Sequence, residues 1–383
     1  MENKILQGDA LTKLKELPSN SINMCVTSPP YWALRDYGVS GQLGLEPTFD
    51  EYIKKLCDIF DEVKRVLRDD GTIWVNLGDT YNAGGNYRGK ELGDGSKEVY
   101  RRKDFEGCKN NPKEQGISAK CLIMIPSRFA IEMCNRGWIL RNTIIWHKRN
   151  CMPSSVKDRF TVDFEYLFFF SKKKNYYFET QYETLSKSSL NDNRLDKKPS
   201  KGLGKTEQGN YAMQHCGSIN SKGRNKRCVW TINPKPFKEA HFAVYPEELC
   251  ETPIKAGCPE FVCKKCGNPK IQIYEDERVN TRPGKDIGKG KSGTEEDPNK
   301  ELHNSDLSKF RQQIIYKTKG YKPSCNCNAE FTGGIVLDCF FGAGTTGLVA
   351  LKQRKKFIGI ELNKEYIEIA KKRLKPYLEQ TTL

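Results

Sequence analysis

Apolar residues recur with regular spacing towards both ends of this chain and lose their periodicity between. Lys4 to Gln7 and Ile22 to Val26 predict short strands, separated by a helix-like stretch, Ala10 to Leu17, that stops at Pro18-Ser19-Asn20. Phe49 to Leu67 carries Tyr52, Ile53, Leu56, Ile59, Phe60, Val63, Val66 and Leu67 near helical spacing. It ends at Asp69-Asp70-Gly71, and Thr72 to Leu77 then predicts a strand. Ile123 to Cys134 reads as a helix, Ile139 to Trp146 and Phe164 to Phe170 as strands. From Ile335 the pattern is strand to Asp338, glycine-rich turn at Gly342 to Thr346, helix to Gln353, strand from Phe357 to Glu361 and helix from Glu365 to Leu374. Strand and helix alternating at both ends predict an α/β fold, one mostly parallel sheet with helices on both faces.

The stretches without periodicity mark insertions. Tyr81 to about Ser118 is rich in Gly, Asn and Lys and reads as a long mobile loop. Residues 171–240 are polar and hold 15 Lys and Arg against 6 Asp and Glu. Residues 258–333 form a second insertion rich in charge and Gly and framed by cysteines. The expected organisation is therefore a core in three pieces, 1–170, 241–257 and 334–383, interrupted by insertions at 171–240 and 258–333. Over the 383 residues, 64 Lys and Arg face 48 Asp and Glu, a formal charge of +16, which favours a polyanionic partner. The opening residues, Met1 to Asp9, lack the apolar run of a signal peptide, and the longest apolar run, Tyr166 to Phe170, is too short to span a bilayer. A cytoplasmic protein without membrane partners is expected, its fifteen cysteines mostly reduced.

Two motifs sit where ligands bind in open α/β sheets, at the carboxyl ends of strands. The first is Val26-Thr27-Ser28-Pro29-Pro30-Tyr31-Trp32. Taken alone, it fits an ordinary loop with two prolines and buried aromatics. The second is Asp338-Cys339-Phe340-Phe341-Gly342-Ala343-Gly344-Thr345-Thr346, followed by a strand that ends in Glu361. Glycines let backbone approach a ligand closely, and an acidic residue about twenty positions on is placed to accept from ribose hydroxyls. Asp338 is either turned to the ligand or a cap of its own strand end.

Together the motifs resemble those of amino-methyltransferases acting on DNA, in the arrangement called the beta class, where the catalytic tetrapeptide precedes the cofactor glycines. The chain departs from the family pattern at Cys339, where proline is common, and at Ala343, where serine is frequent. The resemblance implies a circularly permuted methyltransferase core that uses S-adenosylmethionine and acts on duplex DNA by base flipping. Cofactor contacts then fall to Asp9, Thr27, His241, Asp338, Phe340, Gly342, Gly344, Thr345 and Glu361, and the strand Lys4 to Gln7 belongs beside the C-terminal strands. Asp9 doubles as a helix N-cap candidate. Catalysis falls to Ser28, Pro29, Pro30 and Tyr31. An exocyclic amine is a poor nucleophile because its lone pair is delocalised into the ring; Ser28 Oγ and the Pro29 carbonyl supply acceptors for its N–H bonds, the prolines hold that carbonyl in place, and Tyr31 offers a face for the extruded base. Trp32 is a pocket wall or a second stacking surface.

Ser-Pro-Pro-Tyr is the form more often met in cytosine-N4 enzymes, and adenine-N6 methylation is the alternative. A more distant alternative is a non-catalytic DNA-binding protein of the same fold. In beta-class enzymes the basic stretch after residue 171 carries target recognition, so Lys222, Arg224, Lys226 and Arg227 are expected on phosphates and Asn220 and Asn225 near base edges, with Arg101, Arg102 and Lys103 near phosphate from the 81–118 loop. A solvated charged face is the plainer explanation. A cognate restriction endonuclease is a partner that such an enzyme implies; whether one exists, and whether the protein is a monomer or a homodimer, stays open. Finally, Cys263-Lys264-Lys265-Cys266-Gly267 and Cys325-Asn326-Cys327 have the spacing of a structural zinc site, with Cys258 as a substitute ligand and free thiols as the alternative.

Overall fold

The computed structural model describes residues 3–34, 37–82, 116–184, 223–235, 244–280 and 312–380. The expectations placed on Arg101, Arg102, Lys103, Asn220, Lys222 and His241 lie outside the described residues. In chain order the elements are β1 (Lys4–Gln7), α1 (Ala10–Lys15), β2 (Ile22–Thr27), α2 (Phe49–Val66), β3 (Leu67–Leu77), α3 (Ile125–Asn135), β4 (Ile139–His147), β5 (Phe164–Ser171), β6 (Tyr182–Glu183), β7 (Arg224–Asn225) and β8 (Val229–Thr231). There follow α4 (Glu247–Gly257), β9 (Val262–Cys263), β10 (Ile271–Asn280), β11 (Gln312–Lys322), β12 (Phe331–Thr332), β13 (Ile335–Asp338), α5 (Thr345–Lys352), β14 (Lys356–Glu361) and α6 (Lys364–Gln380). The chain divides into two compact units, one of residues 1–179, 228–269 and 325–383, the other of 180–227 and 270–324.

The first unit is built on an eight-stranded sheet in the order β1-β14-β13-β2-β3-β5-β4-β8. The run from β1 to β3 is parallel, β5 runs antiparallel to both β3 and β4, and β8 lies parallel to β4. The N-terminal strand thus pairs with β14, which pairs with β13, the adjacency expected from the order of the motifs. All six residues of β2 are buried, as a central parallel strand covered on both faces requires. One core joins α1, α2 and α3 to the sheet, with Phe60 and Phe129 at its centre. A second joins α4, α5 and α6 to the other face.

Local chemistry accounts for most elements. In α2, Thr48 caps the N-terminus by accepting from the Glu51 amide at 3.1 Å, acids fill the first turn and Lys64 and Arg65 the last. The register between β2 and β3 jumps from Ile22 opposite Leu67 to Met24 opposite Thr72, so Asp69 to Gly71 bulges out of a strand that already begins at Leu67. Pro126 sits in the first turn of α3, where it costs no hydrogen bond, whereas α4 and α6 carry prolines in their interiors, Pro253 and Pro376. The expected end at Leu374 is passed because Tyr377 and Leu378 pack on the second core, and that burial outweighs the proline's cost.

Insertion boundaries shift for the same reason. Within the expected 171–240 insertion, β8 joins the central sheet and Trp230 is buried against Trp74, so the second unit takes only 180–227 of it. Likewise residues 258–269 and 325–333 belong with the first unit, where β9 pairs with β12. In the second unit β10 and β11 form a long antiparallel pair and β6 pairs with β7; the polar composition had predicted neither.

Candidate active site

Because β1, β2, β3, β13 and β14 are parallel, their carboxyl ends lie along one edge of the sheet, and a cavity of about 660 Å³ opens there within the first unit. Ser28, Pro29, Pro30 and Tyr31 line it from the end of β2, and Phe340, Gly342, Thr345 and Glu361 from the turns after β13 and β14. Two motifs more than 300 positions apart in the chain therefore share one space. The volume is in the range of sites that enclose small-molecule ligands.

The tetrapeptide is held both from α2 behind the cavity and by side chains that share the cavity wall. Tyr52, in α2, donates its hydroxyl to the Pro30 carbonyl at 2.8 Å. Ser28 Oγ donates to Asn76 Oδ1 at 3.3 Å, which turns the serine's own lone pairs away from that contact. Among the described residues no donor meets the Pro29 carbonyl. Tyr31 donates its hydroxyl hydrogen to Glu165 Oε2 at 2.6 Å, its oxygen lies 3.1 Å from Asn76 Oδ1, and its ring lies over Gly78, where a Cβ would sit 2.6 Å from Tyr31 Cε2. Asn76 Nδ2 donates back to Glu165 at 3.1 Å, and Lys148 closes the network by ion-pairing with the other Glu165 oxygen. Burial, with the Glu165 charge beside it, pushes the Tyr31 phenol well above its ordinary range, so the ring stays neutral.

The glycine turn is fastened to the same frame. Asp338 is fully buried and accepts from four donors: Thr27 Oγ1 at 2.5 Å, Thr346 Oγ1 at 2.6 Å, Tyr245 OH at 3.0 Å and the Phe340 amide at 3.0 Å. Thr27 directly precedes Ser28, so this carboxylate locks the two motifs together across β2 and β13. Burial raises the Asp338 carboxyl above its usual range, and the four hydrogen bonds oppose that shift. Glu361 accepts the Gly342 amide at 2.7 Å on one oxygen and the Asn363 amide at 2.8 Å on the other. It faces the cavity, and its carboxyl is likewise raised by burial. Gly342 adopts φ 50°, a left-handed conformation that glycine takes without strain.

The sequence-predicted residues separate into two groups. Asp9, Phe340, Gly342, Thr345 and Glu361 line the cavity; Thr27, Asp338 and Gly344 stand behind it, the last as the left-handed N-cap of α5, packed on Ala370 and Phe341. Asp9 also caps α1, accepting from the Thr12 amide at 2.9 Å. Trp32 is neither wall nor stacking surface: it is 3 % exposed, packs edge-on against Phe49 and donates to the Glu46 carbonyl. Asn76, Lys148 and Glu165 carried no predicted role. They meet because β3, β5 and β4 are adjacent, an order that no local pattern encodes.

Of the basic residues expected on DNA, Arg224, Lys226 and Arg227 are described, and all lie in the second unit. Arg224 and Arg227 both pair with Glu183 at 3.1 Å, so part of their charge is already neutralised. At the foot of the first unit, the ligand atoms of Cys263, Cys266, Cys325 and Cys327 lie within 4.8 Å of one another. The backbone amides of Cys266 and Lys265 pull the Cys263 thiol down to about 6. Cys258 is not part of this cluster; it is buried behind Pro259, and burial pushes its thiol up to about 12.

A family model described as DNA methylase (N6_N4_Mtase) matches residues 22–261 and 324–372. The chain is 34% identical to the type II methyltransferase M.SmaI of Serratia marcescens, over 97% of this chain and 90% of that one. It is 33% identical to M.Cfr9I of Citrobacter freundii, over 97% of this chain and 87% of that one. Among solved structures, the PvuII DNA methyltransferase (cytosine-N4-specific) aligns over 97% of this chain and 86% of its own with a TM-score of 0.50 at 16% identity, a likeness of fold. The fold and these relatives define the class, a DNA methyltransferase with a mixed α/β core. The chain belongs to the N6_N4_Mtase family of DNA methylases.

Proposed function

We propose that this protein methylates the N4 amine of cytosine at a specific site in duplex DNA, with S-adenosylmethionine as donor and the target base flipped into the cavity. The observation that carries this reading is the single cavity shared by Ser28-Pro29-Pro30-Tyr31 and the Gly342 turn. The donor's sulfonium supplies an electrophilic methyl carbon. The residues present fit such a molecule: Glu361 offers a partly buried carboxylate for hydroxyl donors, Phe340 and Tyr366 offer apolar walls, and the left-handed Gly342 admits a ligand close to the backbone.

At the other end, Ser28 Oγ and the Pro29 carbonyl accept the two N–H bonds of the amine and so localise its lone pair on nitrogen. The Asn76 contact holds Ser28 Oγ before substrate arrives, Tyr52 holds the neighbouring Pro30 carbonyl, and the two proline rings restrict the backbone that carries the Pro29 carbonyl. Tyr31, fixed through Glu165 and Lys148, presents its ring to the base. No covalent enzyme intermediate is needed, and orientation supplies much of the acceleration. Serine at the first tetrapeptide position supports cytosine over adenine. The order of motifs, with β1 beside the C-terminal β14, supports a permuted, beta-class core. The second unit, which holds Arg224, Lys226 and Arg227, is assigned to target recognition.

Incubation of the full chain with labelled donor and mixed-sequence duplex DNA, followed by nucleoside analysis, tests the reading. N4-methylcytosine is expected. N6-methyladenine overturns the choice of base, and DNA binding without donor binding at saturation overturns the enzyme assignment in favour of a DNA-binding protein.

A further inference from the structure

We propose that Cys263, Cys266, Cys325 and Cys327 bind one zinc ion, and that the ion is a structural clip closing the chain excursion 270–324 at its root. The four ligand atoms lie mutually within 4.8 Å. A tetrahedral zinc with Zn–S bonds of about 2.3 Å needs sulfurs about 3.8 Å apart, so the site closes with shifts of an ångström or less. Each pair is followed at once by a left-handed residue, Gly267 at φ 72° and Asn328 at φ 49°, which turns the chain back around its sulfurs. The Gly267 amide donates to the Cys263 carbonyl at 2.8 Å, and Cys263 pairs with Phe331 across β9 and β12. Two knuckles from distant parts of the chain are thus registered against each other before any ion binds.

The site is also anchored to the core. Arg68 donates to the Cys266 carbonyl at 3.3 Å and to Asn268 Oδ1 at 3.4 Å, and a Cβ on Gly267 would sit 2.2 Å from its Nη1. Arg68 is the second residue of β3, and Asn76 near the other end of that strand lies in the cavity, so the cysteines are roughly 25 Å of strand away from the chemistry. Four thiolates leave zinc no open position for a substrate. The ion's role lies instead in what it closes. β10 begins five residues after Cys266, and β11 ends three before Cys325. A two-stranded pair is at best marginally stable alone, and tying both its feet to one ion removes freedom from the unfolded segment. The family match leaves out residues 262–323, almost the same stretch.

Elemental analysis of the full chain as purified is expected to give one zinc per molecule, and exchange for cobalt the visible bands of a tetrahedral tetrathiolate. Stripping the metal with a chelator is expected to raise proteolytic cleavage within 270–324 at least tenfold and leave the affinity for S-adenosylmethionine within twofold. A Cys325→Ser, Cys327→Ser variant should lose the metal and reproduce that cleavage; the chelator experiment on the unaltered protein stands if the variant does not fold. Less than a tenth of an equivalent of zinc, iron in its place, or a disulfide among the four overturns the site. Stoichiometric zinc whose removal leaves cleavage unchanged overturns the clip.

Discussion

At the scale of single residues, the proposed methyl transfer rests on acceptors already in place. In the proposed mechanism Ser28, hydrogen-bonded to Asn76, serves as an acceptor and not as a nucleophile, so Ser28→Ala removes one acceptor without disturbing the donor's end of the cavity. By analogy with the loss of one preorganised hydrogen bond in other active sites, methyl transfer is expected to slow by about 10²- to 10³-fold. Single-turnover methylation measures that rate, and donor affinity in the same variant should change by less than about threefold. Glu361→Ala is expected to do the reverse. Losing a charged acceptor weakens donor binding by roughly 10- to 100-fold, read by equilibrium titration. The tetrapeptide and Glu361 were legible in the sequence because their chemistry is local: a rigid turn after one strand and an acid ending another. Asn76, Lys148 and Glu165 were not, since two are unremarkable strand residues and the third directly follows a strand, until the sheet order sets them side by side.

Among elements, those governed by periodicity were read correctly and those governed by burial were not. α2 follows from its spacing and cap; α4 falls in a segment read only as part of the core, and although it contains Pro253, Leu249, Cys250 and Ile254 are buried and hold it in place. The short pair of β6 and β7 shows how one carboxylate organises a small element. Glu183 accepts the Arg227 amide at 2.6 Å and both guanidiniums, and the amide first, then the arginine side chains, pull its carboxyl down to about 2. Its pKa falls on folding from an ordinary value of about 4.3. The stabilisation is therefore complete above that value and is lost as pH falls towards 2. Carboxylate NMR should place the Glu183 midpoint near 2. An Arg224→Gln, Arg227→Gln variant should raise the midpoint, but short of the ordinary value, because the backbone donor remains.

For the whole molecule, a formal charge of +16 and a DNA substrate make association strongly dependent on salt. DNA affinity is expected to fall by several orders of magnitude between low and physiological salt if six or more phosphates are contacted, whereas donor binding should barely move; fluorescence anisotropy at a series of salt concentrations measures both. Among the described residues no helix is long and apolar enough to cross a membrane. What the chain by itself determined was the α/β class, the two motifs and the cysteine spacing, because periodicity, proline rigidity and ligand spacing all act over a few residues. Tertiary structure alone decided that Thr27 and Asp338 would clasp the motifs together, that Tyr31 would lean on a network drawn from β3, β5 and the residue that follows β4, and that β8 would leave the basic insertion for the central sheet. Those outcomes depend on which strands become neighbours, and that is settled by the burial of two whole sheet faces, a property of the folded chain and of no short stretch within it.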